Sequence, residues 1–172
     1  KDVFPNYGAG VFFKGENYFD FGGCGQETLF DLASLTKVLC TTTLLAMADD
    51  NGRLPISTSV KEIFPNFPDA RVKLSHLLNH SSGLPAWLPL HAQFHEQNAR
   101  GSFHPVDSSK KARDLYEKQI FESWRAENFE KECVYSDLDF ILLGWILEHV
   151  FHSPIDAIFQ EWIVIPHRLF SL

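Results

Sequence analysis

The sequence predicts an α+β fold, and three stretches carry that expectation. Two β-rich runs lie near the N-terminus, at residues 8–14 and 18–21, around Lys14-Gly15-Glu16-Asn17. A nearly uncharged apolar run follows at residues 32–48, with Lys37 as its single charged residue. Late in the chain, Ser136 or Asp137 is placed to cap an apolar helix reaching about Val150. Strands then helices, segregated along the chain, is the α+β pattern. A two-stranded hairpin is marginal by itself. No further convincing strand follows, so the expectation is a sheet of which only the N-terminal strands are present.

The elements follow in order. The two β-rich runs read as a hairpin, ended by Gly22-Gly23-Cys24-Gly25. The apolar run has the density of a helix buried on most of its faces. It stops near Asp49-Asp50-Asn51-Gly52, a helix-ending and turn signal. Residues 61–68 form a short segment punctuated by proline. Residues 74–80 read as a short helix closed by Ser81-Ser82-Gly83-Leu84-Pro85. Residues 86–109 have weak periodicity and several histidines and read as loop. Residues 110–125 form a helix with a charged outer face. Ser153-Pro154 has the form of an N-cap followed by proline in the first turn, opening a last helix to about Val164, which Pro166 ends.

Composition narrows the class. The chain has 172 residues, 45% hydrophobic and 14% aromatic, enough for one core. A formal charge of −7 and the lack of a Lys/Arg-rich run argue against nucleic acid as a partner. The run at residues 32–48 is too short for a membrane span and carries a lysine and four threonines, so it reads as core. Cys24, Cys40 and Cys133 are odd in number and lack CxxC spacing, which gives neither a disulfide framework nor a zinc site.

The chemistry begins with Ser34-x-x-Lys37. Residues three apart share a helix face, so the Lys37 amine can reach the Ser34 hydroxyl. A lone ammonium among apolar neighbours is costly unless it is held or gives up its proton. A serine beside such an amine is an activated nucleophile. The competing reading is a lysine that snorkels to the surface. A second match, Ser108-x-x-Lys111, lies in a polar stretch and reads as a solvated helix start. Tyr135-Ser136-Asp137 reads either as a capped helix start, with Tyr135 packing against it, or as a tyrosine aimed into a cleft. His76 with His80, and His91 with His95, have the i,i+4 spacing that can hold one metal. Neither pair has the glutamate of a HExxH site; Glu96 is only a loose candidate. The competing reading places His76 and His80 at a loop–helix junction, bonded to backbone.

Four segments taken together resemble the serine β-lactamase and penicillin-binding-protein superfamily, nearest the branch of class C β-lactamases, DD-peptidases and related esterases. They are Thr28-Leu29-Phe30-Asp31-Leu32-Ala33-Ser34-Leu35-Thr36-Lys37, then Asp50-Asn51-Gly52-Arg53-Leu54. Leu74-Ser75-His76-Leu77-Leu78-Asn79-His80-Ser81-Ser82-Gly83-Leu84-Pro85 follows, and Tyr135-Ser136-Asp137-Leu138-Asp139-Phe140-Ile141-Leu142-Leu143-Gly144 ends the series. The resemblance implies a β-lactamase/transpeptidase-like fold, an antiparallel sheet flanked by helices beside a helical subdomain, with the active site between them. It divides the chain at residues 1–33, the N-terminal strands, and 34–172, the nucleophile helix and helical subdomain.

By the same resemblance Ser34 is the nucleophile, Lys37 its amine partner and Tyr135 the tyrosine of the Tyr-x-Asn motif. Asp137 stands where that motif usually has asparagine. An ionised carboxylate only accepts hydrogen bonds and favours a protonated Lys37, which turns the expectation toward Tyr135 as the proton acceptor. The family's Lys-Thr-Gly strand has no counterpart, so the expectation is the N-terminal part of a longer protein, inactive as it stands. The expected chemistry is serine acyl transfer on a β-lactam, a D-Ala peptide or a small ester, with no metal or organic cofactor. The resemblance suggests a periplasmic or extracytoplasmic location. The exposed hairpin edge predicts self-association. The competing functions are a non-catalytic penicillin-binding or scaffold module and a histidine-based metallohydrolase.

Overall fold

Strands β1 (Tyr7–Phe13) and β2 (Glu16–Gly22) pair antiparallel from Tyr7 opposite Gly22 to Phe13 opposite Glu16. The turn is two residues long, not the four that the sequence suggests. Lys14 and Gly15 both have positive φ, 51° and 86°, which matches the twist of the flanking strands and lets Glu16 and Asn17 join β2. The computed structural model describes residues 4–25, 27–90 and 105–169. They fall into two compact units, Lys1–Ala33 and Ser34–Leu172. In the first, Val11, Phe12, Phe13, Tyr18 and Phe19 are all exposed.

The second unit is helical. Helix α1 covers residues 35–50, with a π-helical stretch Lys37–Thr42 leading into a regular α-helix Thr43–Asp50. Only its later turns are deeply buried: Thr41, Leu44, Leu45 and Ala48 face the core. Leu35 and Val38 are 58% and 61% exposed, and Leu39 is exposed with them. The expectation of a helix buried on most faces is therefore corrected. The core grips its C-terminal half, and the half that carries Lys37 stands at the edge.

Helix α2 (Val60–Ile63) opens on a capping box, Ser59 with Glu62, that the sequence reading did not separate from the proline-punctuated segment. Helix α3 (Leu74–Leu78) follows. Helix α4 (Pro105–Ser123) starts five residues before the expected position 110, with proline at its first position where a missing N–H costs nothing. Helix α5 (Asp137–Phe151) is capped by Ser136, whose side chain accepts from the Asp139 N–H. Its Leu138, Leu142, Leu143, Ile146 and Leu147 meet Leu44, Leu45, Val60, Phe67 and Leu77 in one apolar cluster.

The last helix, α6, covers residues 155–167. Two expectations are corrected here. Pro154, extended at ψ 147°, takes the N-cap place in Ser153's stead. It has no side-chain acceptor, and the Glu148 carboxylate instead accepts from the Ile155 N–H at 3.2 Å. Pro166 also does not end the helix, which runs to His167. A π-helical turn, Gln160–Val164, precedes it, and the Ile165 N–H bonds back to the Gln160 carbonyl. The widened turn relaxes the register in which a proline ring would strike the carbonyl four residues earlier.

The turn after α3 is held from the far side of the unit. Trp124 Nε1 donates to the Ser82 carbonyl at 2.7 Å, and the Arg125 N–H donates to the Gly83 carbonyl at 3.2 Å. Gly83 has φ +87°, and a Cβ there would lie 2.8 Å from the Arg125 carbonyl oxygen. Gly83→Ala is expected to cost about 1–2 kcal/mol from the backbone alone, with more from the close approach. Urea unfolding of both chains checks it, and an unchanged midpoint refutes it.

Candidate active site

Ser34 stands at the head of α1, and the geometry follows from that turn. Ala33, the residue before it, has φ +44°, a region a residue with a Cβ seldom enters. Its N–H is held by the Asp31 carboxylate at 2.8 Å. The Lys37 N–H donates to the Ser34 carbonyl at 3.1 Å, closing the first turn. The two side chains then meet as their spacing predicts, with Lys37 Nζ 3.3 Å from Ser34 Oγ. Lys37 does not snorkel to solvent, since its side chain is 14% exposed.

What holds the ammonium comes from α5. Lys37 Nζ lies 2.6 Å from Asp137 Oδ1. It also stands 4.9 Å from the Tyr135 ring centre and 5.8 Å from that of Phe140, within range of both π faces. Burial is the largest single influence on Lys37 and favours the neutral amine. The hydrogen bonds and charges of Asp137 and Tyr135 together outweigh it and hold the pKa above the ordinary lysine value. Tyr135 moves the other way. Its hydrogen bond with Ser34, then that with Lys37, draw the phenol below its ordinary value. Tyr135 is 55% exposed, so its ring is not packed away as a staple. Ser34, Lys37, Tyr135 and Asp137 thus converge on one point, with an ammonium at its centre.

The extended segment ahead of α5 is fastened to the turn after α3 at Val134, Ser136 and Asp137. The Val134 N–H donates to the His80 carbonyl at 3.0 Å and the Asp137 N–H to the Ala86 carbonyl at 2.9 Å. Between them, the Ser136 N–H donates to His80 Nδ1 at 3.2 Å, and Ser136 Oγ donates to the Pro85 carbonyl at 2.7 Å. Tyr135 and Asp137 flank Ser136, so these bonds set where both side chains point.

Behind the segment lies a group that the sequence reading missed. Asp139, its side chain 1% exposed, places Oδ1 2.5 Å from Ser82 Oγ and Oδ2 3.0 Å from His80 Nδ1. Burial pushes its carboxyl up to about 8, against the pull of the Ser82 hydroxyl. The signal available in the sequence was an acidic residue at the third position of an apolar helix, which reads equally as helix-dipole compensation.

The histidines divide. His76 accepts the Lys73 N–H on Nδ1 at 3.0 Å and sets Nε2 3.1 Å from Glu130. His80 turns instead to Ser136 and Asp139, so the two rings serve separate backbone contacts. His91, His95 and Glu96 lie outside the described residues. Among the described residues no three His, Cys, Asp or Glu side chains gather as a metal cluster, and no helix is long and apolar enough to cross a membrane.

Comparison with known proteins identifies the family and the fold. The family model named Beta-lactamase matches residues 4–169. A putative D-alanyl-D-alanine carboxypeptidase of Escherichia coli K12 is 29% identical over 161 residues, covering 84% of this chain and 34% of that protein. The chain thus spans about a third of the length of this curated relative. Among solved structures, a D-stereospecific amidohydrolase from Streptomyces superposes with a TM-score of 0.74 at 20% identity, over 98% of this chain and 51% of that one. A beta-lactamase/D-alanine carboxypeptidase from Pseudomonas syringae gives 0.65 at 20% identity, over 93% and 43%. The two-stranded sheet and helices are a partial α+β fold of that type. With nearly its whole length matched, the chain belongs to the Beta-lactamase family.

Proposed function

We propose that this chain carries the nucleophile and proton-transfer groups of a serine hydrolase acting by acyl transfer. The observation that carries the reading is the Lys37 ammonium, 3.3 Å from the Ser34 oxygen and 2.6 Å from Asp137. An ammonium kept charged is a poor base. It stabilises negative charge on its neighbours, and Ser34 and Lys37 both draw the Tyr135 phenol below its ordinary value. Tyr135 as phenolate takes the Ser34 proton while Oγ bonds to the substrate carbonyl carbon. The tetrahedral centre collapses, the C–N or C–O bond breaks, and the Tyr135 proton passes to the leaving group. Water, giving a proton to the Tyr135 phenolate, then adds to the Ser34 ester carbonyl; the acyl C–Oγ bond breaks, the Tyr135 proton passes to Ser34 Oγ, and the acid leaves. Lys37 and Asp137 set the charge balance; neither changes its proton count. The resident chemistry needs no metal or organic cofactor. Residues 1–33 serve as the strand portion and 34–172 as the nucleophile helix with its helical surround.

The substrate class is an acyl donor with an amide, lactam or ester carbonyl: a D-Ala peptide, a β-lactam or a small ester. The names of the relatives, a D-alanyl-D-alanine carboxypeptidase and a D-stereospecific amidohydrolase, support the peptide end of that range.

The chain by itself is expected not to turn substrate over, but a fluorescent penicillin or a fluorophosphonate is expected to label it at Ser34, and Ser34→Ala to abolish the label; equal labelling of both refutes the assignment. Tyr135→Phe is expected to slow acylation by about 10²–10⁴-fold, the usual contribution of a positioned proton acceptor. In Lys37→Met the Tyr135 phenol should titrate about 1 pH unit higher or more, since an ammonium at this range shifts an acid by that order. Phenolate absorbance measured against Tyr135→Phe reads it. For Asp137→Asn, loss of the carboxylate lowers the Lys37 pKa, and the basic limb of the pH–rate profile moves to lower pH. An unmoved limb sinks the coupling between the two.

A further inference from the structure

Among the described residues, His80 touches both the Tyr135 ring and the backbone beside it. Its ring centre lies 4.8 Å from that of Tyr135 and 5.3 Å from that of Phe140. Its Nδ1 accepts the Ser136 N–H, the amide that follows Tyr135, at 3.2 Å. Its own backbone is left-handed, φ 61°, and its carbonyl holds the Val134 N–H on the other side of Tyr135. One residue thus brackets the tyrosine from ring, front and back.

The protons of this array can be counted. An N–H pointing at Nδ1 requires Nδ1 to be bare, so a neutral His80 carries its hydrogen on Nε2. Asp139 Oδ2 lies 3.0 Å from the same Nδ1. Two acceptors cannot share that distance without a hydrogen between them, so the hydrogen belongs to the carboxyl. The other oxygen is consistent. Ser82 Oγ accepts the Leu84 N–H at 3.1 Å, which leaves its own hydrogen for Asp139 Oδ1 at 2.5 Å. Asp139 therefore accepts on one oxygen and donates on the other. In this arrangement the single Nδ1 lone pair is shared by two donors, the Asp139 hydroxyl at 3.0 Å and the Ser136 N–H at 3.2 Å, and reversing any one proton sets two donors or two bare lone pairs against each other.

We propose that His80 is the positioning residue for Tyr135, and that Asp139 keeps it so by holding its own proton against His80 Nδ1. The inference rests on the reading of Tyr135 as the proton acceptor for Ser34 and names what aims it there. It makes the array dependent on pH at both ends. The titratable and charged groups that act on His80 are Asp139, the Lys37 ammonium, Asp137 and the Tyr135 phenol. Burial, then the Lys37 charge, hold His80 below the ordinary histidine value, with Asp137 opposing. The ring consequently stays neutral to below the pH at which a free histidine charges. Protonation in acid places a hydrogen on Nδ1 and sets it against the Ser136 N–H. On the alkaline side the Asp139 proton is lost near 8. The carboxylate then draws the imidazole hydrogen onto Nδ1, and the Ser136 bond is lost in the same way.

The test uses the chain with ¹⁵N-labelled histidine and ring-labelled tyrosine. At neutral pH the His80 nitrogens are expected to report hydrogen on Nε2 and a bare Nδ1; hydrogen on Nδ1 overturns the proposal. The Ser136 amide should move with a midpoint near 8, and an amide that does not respond there overturns it too. Asp139→Asn replaces the carboxyl by an amide that donates to Nδ1 and accepts from Ser82. It should keep the Nε2–H form and the wild-type Tyr135 titration, and lose the alkaline step in the Ser136 amide. Asp139→Leu, which can do neither, should raise the Tyr135 titration by about 1 pH unit as the ring drifts from Lys37. Identical Tyr135 titrations in all three chains defeat the proposal. Should Asp139→Leu not fold, the wild-type tautomer and the Asn variant decide. None of these readings uses acylation of Ser34, so a failure to acylate removes the hydrolase reading without being mistaken for a failure of this one.

Discussion

Lys37 and Asp137 stand a hundred residues apart in sequence and 2.6 Å apart in space. The ammonium sits near the head of α1, where its own helix offers it only the Ser34 hydroxyl. The carboxylate sits at the first position of α5. Their pairing ties the two helices whose ends form the site. A pair with one partner nearly half exposed adds little net stability. Its consequence is positional: it fixes where the ammonium stands, and the ammonium fixes the charge felt by Ser34 and Tyr135.

The pairing is possible only because the chain ahead of α5 cannot wander. The turn after α3 grips it through the His80 carbonyl and ring, Pro85 and Ala86. That turn is in turn held by Trp124, Arg125 and the positive-φ glycine at 83. Ser82 and Asp139 close the layer beneath. A buried carboxyl is costly unless it is neutral or paired, and here it is both neutral and bonded on each oxygen. The cost of burying polar groups is offset by a network with no unpaired buried side-chain atom among the described residues. Such a network holds the side chains around Tyr135 in a defined arrangement.

The π-helical stretch Lys37–Thr42 belongs to the same design. A π turn shifts the angular position of residues around a helix and is found most often where function needs it. Here it lies between the exposed head of α1 and the part packed on Leu142 and its neighbours. The core fixes the helix from Thr41 onward, and Lys37 opens the wide turn. Cys40, half-buried in that stretch, has its thiol pushed up by burial and acts as a small apolar residue.

Local spacing made much of this legible. A three-residue step on a helix brings Ser34 and Lys37 together whatever surrounds them. Alternating apolar and turn residues made the hairpin readable, and Ser136 announced the start of α5. The nearness of Asp137 to Lys37, a hundred residues away, was implied by the family resemblance alone and not by such local spacing. Sequence patterns of this kind report contacts within a few residues, where backbone geometry alone sets the distance. What they could not report were contacts across the chain. The burial of only half of α1, the grip of the turn after α3 on Tyr135, and the proton shared between Asp139 and His80 were decided by packing. An acidic residue in the first turn of a helix looks the same in sequence whether it faces water or lies beneath the site. Only the tertiary structure, by removing water from Asp139 and setting it against an imidazole, determined which it is.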